Sequence, residues 1–166
     1  MSFILNLKSS LQLWRHGRGF GIHSPFAFRF ITEVLRQEYG YYAYLHLPGD
    51  RTTLAIFRVV LDLRPDSVAM IGSDTYRRAV VEAVPNSTIT TADKADLIIV
   101  DADAAPDFDL AAYADKHVIV TDYLHLVSWP RYKAAMDTGM TFANNGSMAV
   151  GVALAHLPRQ DFDVKF

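Results

Sequence analysis

Carboxylates at the ends of apolar runs carry most of the chemistry this sequence offers. LIIVDAD, Leu97 to Asp103, ends on Asp101 and Asp103. VIVTDYLH, Val118 to His125, brings Asp122 and His125 after another apolar run. SVAMIGSD, Ser67 to Asp74, ends on Gly72, Ser73 and Asp74. A carboxylate near an imidazole can remove a proton from a hydroxyl substrate, so Asp122 and His125 are the candidate catalytic pair. Gly72 lets a backbone approach a ligand closely. Together with Ser73, Asp74, Asp101 and Asp103 it forms the candidate cofactor contacts. The plainer alternative is that aspartates end strands as turn formers and that His125 is a loop residue. Asp101 with Asp122 offers the hard oxygens that Mg²⁺ takes, but Thr121 is a weak third ligand, and no metal site is assigned.

Other chemistries are excluded or unsupported. The chain has no cysteine, which removes disulfides, thiolate nucleophiles, Fe–S clusters and cysteine-bound zinc. No Gly-x-Ser-x-Gly elbow supports a serine triad. Asp50 to Thr53 has no phosphate-loop signature. His16 and His23 stand at no metal-binding spacing.

Three strands must deliver these polar residues to one rim. Ser67–Ile71, Leu97–Val100 and Val118–Val120 are apolar enough for buried strands and are expected adjacent and central. Helices are expected at residues 54–63, 75–83, 110–114 and 129–136, with a β-prone piece at Ser87–Thr91. Strands near 140–143 and 148–155 flank Asn144-Asn145-Gly146, a hairpin signal. Alternating strands and helices imply a mainly parallel sheet covered on both faces, with ligands at the carboxyl ends of its strands. Upstream, Ser2 to Trp14 has helical spacing, and Gly17, Gly19 and Gly21 interrupt it. Ser24 and Pro25 start a further helix as cap and first residue. That helix is expected to end before Gly40 and to place Phe26, Phe30, Val34 and Phe28, Ile31, Leu35 on adjacent stripes, with Phe26, Phe30, Ile31 and Val34 buried in the core alongside Ile98, Ile99, Val118 and Ile119. Tyrosine-rich residues 39–47 read as a packed connector or an aromatic wall. HLPGDRTT, His46 to Thr53, marks the join between an arm, residues 1–48, and a body, residues 49–166, of one domain.

Composition agrees with one globular domain: 166 residues, 51% hydrophobic, 20% charged. The net charge of −2 argues against general nucleic-acid binding. No apolar run reaches the ~20 residues of a membrane helix, and the start lacks signal-peptide features, so a cytoplasmic protein is expected. Residues 1–36 hold Lys8, Arg15, Arg18, Arg29 and Arg36 against Glu33, whereas residues 92–122 are rich in aspartate. A basic arm on an acidic body can clamp an anion; equally, both surfaces are simply solvated.

GFGIHSPFAFRFITEVL, Gly19 to Leu35, and LPRQDFDVKF, Leu157 to Phe166, resemble class I S-adenosylmethionine-dependent methyltransferases. More narrowly, they look like a bacterial O-methyltransferase-like family with an N-terminal helical arm. LIIVDAD and VIVTDYLHLVSW are similar to that family's fourth and fifth strands. The resemblance implies a Rossmann-like α/β sheet with a C-terminal antiparallel hairpin, S-adenosylmethionine as cofactor and a small-molecule substrate. It implies neither a nucleic-acid nor a membrane partner and leaves a homo-oligomer open.

The sequence departs from the family pattern in three ways. After Gly72 the loop runs Ser73-Asp74-Thr75-Tyr76-Arg77, with no second glycine and with bulky Tyr76 and Arg77 where the family is small. The second strand has no terminal acid for the ribose hydroxyls; Asp93 is nearest. Five residues separate Thr91 from Leu97, whereas a parallel crossover needs about a dozen. Either Ser87–Thr91 is antiparallel or barely a strand, or the sheet has lost its outer edge. The expectation is a reduced fold that binds S-adenosylmethionine weakly or not at all. The alternative is an active O-methyltransferase acting on a small hydroxylated molecule.

Overall fold

The computed structural model describes residues 23–166. The expected Ser2–Trp14 helix, the Gly17–Gly21 run, Arg15, His16 and Arg18 lie outside them. Seven strands form one sheet: β1 Ser67–Ile71, β2 Thr88–Ile89, β3 Leu97–Asp101, β4 His117–Thr121, β5 Met140–Asn144, β6 Met148–Val152 and β7 Gln160–Asp163. Their order is β2-β1-β3-β4-β6-β5-β7. β6 alone runs against the others, antiparallel to β4 and β5, as the Asn144–Gly146 turn predicts. The fold is thus Rossmann-like α/β, with β1, β3 and β4 adjacent as expected. β7, which sequence reasoning did not assign, adds to β5 in parallel at the far edge.

The apolar runs of β3 and β4 are buried because both faces of the sheet are covered. Helix α1 starts at Pro25–Arg29 and widens into a π turn over Phe30–Leu35. Helices α2, Arg51–Leu63, and α3, Arg77–Ala83, share its face. There Phe30, Ile31, Ile56 and Val60 meet Leu97, Ile99 and Ile119. Helix α4, Trp129–Ala135, and the turn Leu110–Tyr113 cover Ile98, Val100, Val118 and Val120 on the other face.

Local chemistry sets the helix ends. The Ser24 hydroxyl accepts from the Ala27 amide at 3.3 Å, and Pro25 occupies the first position. Asp50 caps α2 by accepting from Thr53 N at 2.8 Å. The π register, in which Arg36 N donates to the Ile31 carbonyl, changes the pitch after Phe28. One expected stripe breaks there: Ile31 and Leu35 are buried, but Phe28 is 46% exposed. Phe26, expected in the core, is only partly buried, and the helix stops at Leu35, before Gly40 as expected.

Two ties hold α1 to α2. Arg29 and Asp62 form a two-pronged ion pair, with N–O distances of 2.7 and 3.0 Å. Arg58 donates to the Val34 and Leu35 carbonyls, which the end of α1 leaves unpaired, at 2.7 and 2.8 Å. Phe30 lies 4.9 Å from Phe142 of β5, which stacks on Phe162 of β7 at 5.3 Å. Ser24, singled out by the sequence motif, is therefore the cap of a helix packed against the sheet.

Gly151 within β6 has a packing reason. A Cβ there would sit 2.3 Å from the Tyr132 hydroxyl and 2.8 Å from Val118 Cγ2. Tyr132 is fully buried, and its hydroxyl donates to the Lys116 carbonyl at 3.1 Å. Gly151→Ala is expected to cost ~1–3 kcal/mol in urea unfolding by overpacking. Tyr132→Phe in the same chain should recover part of that loss, seen as non-additivity in a double-mutant cycle.

His117 opens β4 at the base, the end opposite the strands' carboxyl rim. Its Nδ1 accepts from Ala153 N at 3.2 Å, so the neutral ring fits the bond. Burial lowers its pKa below the usual histidine value, with Asp96 opposing. The unfolded chain therefore takes up a proton that the folded chain resists. This stability is full above a pH of about 6.5 and is lost as pH falls below it. The His117 ring resonances should titrate below that pH, and His117→Asn should weaken the acid-side loss of stability.

Candidate functional site

The rim gathers the polar ends of β1, β3 and β4. Gly72 leaves β1 with φ +90°, which favours glycine. It also abuts the loop after β3: a Cβ would meet the Asp101 carbonyl at 2.7 Å, Ala104 Cβ at 3.1 Å and Ala105 Cβ at 3.3 Å. The space beside this glycine is filled by the protein itself.

Ser73 and Asp101, both expected cofactor contacts, bond to one another. The Ser73 hydroxyl donates to Asp101 Oδ2 at 2.7 Å. Asp101 Oδ1 accepts from the Ala104 amide at 3.4 Å, so this carboxylate also holds its own turn. Asp74 is exposed and pairs loosely with Arg77 at 3.6 Å.

The expected pairing of His125 with Asp122 is corrected. His125 Nδ1 pairs with the Asp103 carboxylate instead. Asp122 adopts a left-handed conformation, φ 50°, and opens the one-turn helix Tyr123–His125. Its amide donates to the Ser147 carbonyl at 2.8 Å, and its own carbonyl accepts from His125 N at 2.8 Å. The backbone of Asp122 thus shapes the turn that carries the ring to the β3 loop. Asp103, first by hydrogen bond and then by its charge, raises the His125 pKa, with Asp122 adding a smaller effect.

Tyr76, noted in the sequence only for its bulk, spans the same region from the loop after β1. Its side chain interacts with that of Thr121 at the end of β4, in the field of Asp101, Asp50 and Asp122. Burial raises its pKa above the usual tyrosine value, with these carboxylates adding and Thr121 opposing. A neutral phenol therefore stands over the rim at physiological pH.

The second strand does not reach the rim. β2 pairs only with the start of β1, Ser67 with Thr88 and Val68 with Ile89. The strand is parallel and two residues long, so the antiparallel alternative is wrong and the description as barely a strand holds. Asp93, nearest in sequence to a ribose-binding acid, lies toward the base. It accepts from the Tyr113 hydroxyl at 3.0 Å, and Lys116 Nζ donates to its carbonyl at 3.1 Å.

Among the described residues, no group of three or more His, Asp or Glu side chains is arranged to hold a metal ion. Nor, among them, is any helix long and apolar enough to cross a membrane. The chain matches no family model, no curated protein and no solved structure.

Proton titration tests the His125 pairing. Its pKa is raised, so its stabilising contribution is present below a pH of about 6.5 and is lost as pH rises through the folded-state value. Asp103→Asn should return the ring's NMR midpoint to near 6.5, whereas Asp122→Asn should move it less. Equal shifts from both variants would contradict the assignment.

Proposed function

We propose that this chain is a methyltransferase-like protein of reduced fold, with weak or no S-adenosylmethionine binding, that acts in the cytoplasm as a binding or interaction module. The observation that carries this reading is the stop of β2 at Ile89, level with Val68 near the start of β1. A dinucleotide-type or adenosyl ligand needs a wall and a hydroxyl acceptor beside the carboxyl end of β1. Among the described residues that flank has no strand, and Asp93 lies toward the other end of the sheet, bonded to Tyr113. Unmet ribose hydroxyls forfeit ~1–3 kcal/mol of hydrogen bonding, and the missing adenine wall forfeits apolar burial at ~25 cal/mol per Å².

Two further features support it. Ala104 and Ala105 crowd Gly72, where a family loop would admit the methionine part of the ligand. Tyr76 reaches from the same loop to Thr121 across the rim.

The exposed Asp103–His125 pair favours a second reading, an active O-methyltransferase for a small hydroxylated substrate. An imidazole held by a carboxylate can take the proton of such a hydroxyl. Methyl transfer otherwise asks mainly for alignment of acceptor and sulfonium.

Calorimetric titration with S-adenosylhomocysteine separates the two readings. The reduced-fold reading expects no saturation below ~100 μM, roughly a hundredfold weaker than a micromolar site. Micromolar binding that is lost in Asp101→Ala would overturn it in favour of the enzyme.

A further inference from the structure

A second concavity lies away from the groups just described. It is a cleft of about 460 Å³ between the end of α1, the first half of α2 and the last two residues of the chain. None of Gly72, Ser73, Asp74, Asp101, Asp103, Asp122 or His125 lines it. Four cationic side chains do: Arg36, Arg51, Arg58 and Lys165. Glu38 is the one acidic side chain in its wall. This local excess of positive charge sits in a protein whose net charge is −2.

Arg58 gives the cleft its fixed charge. Its hydrogen bonds go to neutral groups, the Val34 and Leu35 carbonyls and the Tyr44 hydroxyl, at 2.7, 2.8 and 3.1 Å. These bonds use Nε and one hydrogen on each Nη, leaving a second hydrogen on each Nη. The guanidinium is half-buried and held rigidly, yet no carboxylate lies within ion-pair distance of it among the described residues. Arg29, on the same arm, is answered by Asp62. Arg51 and Lys165 are exposed and likewise have no ion-pair partner among the described residues.

The rest of the wall is apolar. Leu35 is buried, and Leu54 and Phe166 are partly buried against the core. The Phe166 main-chain oxygen accepts from the Asn144 side chain at 2.6 Å, which fixes this residue beside the cleft. Cations with an apolar floor, in a volume suited to a small ligand, match an amphipathic anion. Concave walls of low dielectric strengthen the field of such a cluster.

We propose that this cleft binds a small organic dianion, a phosphate ester or dicarboxylate with an apolar body, its charged head held by Arg51, Arg58 and Lys165 and its body against Leu35, Leu54 and Phe166. The proposal does not depend on the reading of the rim: it stands or falls on anion binding alone, whatever the outcome with S-adenosylhomocysteine.

The test is calorimetric titration of the full chain at low ionic strength with phenyl phosphate, phthalate and inorganic phosphate. Phenyl phosphate or phthalate should saturate below ~1 mM, and the tighter of the two identifies the preferred head group. Inorganic phosphate should bind at least about tenfold more weakly, because it lacks the apolar body. The double variant Arg51→Gln, Lys165→Gln alters two exposed side chains, and circular dichroism verifies its fold. It should weaken binding at least about tenfold through lost charge-assisted bonds. Failure of both organic anions to saturate, unchanged affinity in the double variant, or inorganic phosphate binding as tightly as phenyl phosphate would each overturn the proposal.

Discussion

The architecture turns on the short passage from β2 to β3. Both strands flank β1 and run parallel to it, yet only Thr90 to Asp96 connects them. A strand that climbed the full length of β1 would need a long return to start again at the base. The chain instead leaves β1 after one more bond, from Thr90 N to the Val68 carbonyl, and passes beneath it. Ser67 and Asp96 stitch this passage. The Ser67 amide and hydroxyl donate to the Asp96 carboxylate at 3.0 and 2.7 Å, and the same hydroxyl lies 3.1 Å from the Lys94 carbonyl. A full βαβ crossover is thereby replaced by a turn, and the rim beside β1 loses its neighbour.

The opposite half of the sheet gains what this half lacks. β5, β6 and β7 extend it beyond β4, and α1 packs across that extension through Phe30, Phe142 and Phe162. The described part of the arm, residues 23–48, thus contributes to the core through Phe30, Ile31, Val34 and Leu35. Arg58 is central to the join because it answers carbonyls at the end of α1 while its own helix carries it beside Tyr44. An arginine used in this way brings a full charge into a half-buried place, which an asparagine or glutamine would not do.

Much of this was legible where burial dictates sequence. Ser67–Ile71 was read with its observed bounds, and β3, β4, β5 and β6 were found nearly whole, because continuous apolar runs leave few alternatives. β7 was missed for the opposite reason. In Gln160–Asp163 only Phe162 is partly buried, so the strand exists by pairing with β5 rather than by composition. The candidate rim residues were found at strand ends, but their partners were not. The choice of Asp103 over Asp122 for His125 follows from the left-handed backbone at Asp122, and aspartate alone does not announce that conformation. Of the arm residues expected in the core, Phe30, Ile31 and Val34 are buried and Phe26 is only partly so, while Phe28 leaves the stripe of Ile31 and Leu35 because a uniform helical period cannot foresee a π turn. The cationic cleft joins stretches far apart in sequence, so no local pattern displays it, although the basic character of the arm hinted at an anion.

The two borders of the sheet also bear on how copies of this chain can meet. A long, flat, apolar border invites another molecule to add a strand, and proteins avoid this by shortening or charging it. At one side β2 offers Thr88 and Ile89 alone, too little backbone to template a partner. At the other, β7 displays Asp161 and Asp163, with Lys133 3.8 Å from the first of them. Strand-by-strand growth into fibres is discouraged at both sides by different means, brevity at one and charge at the other.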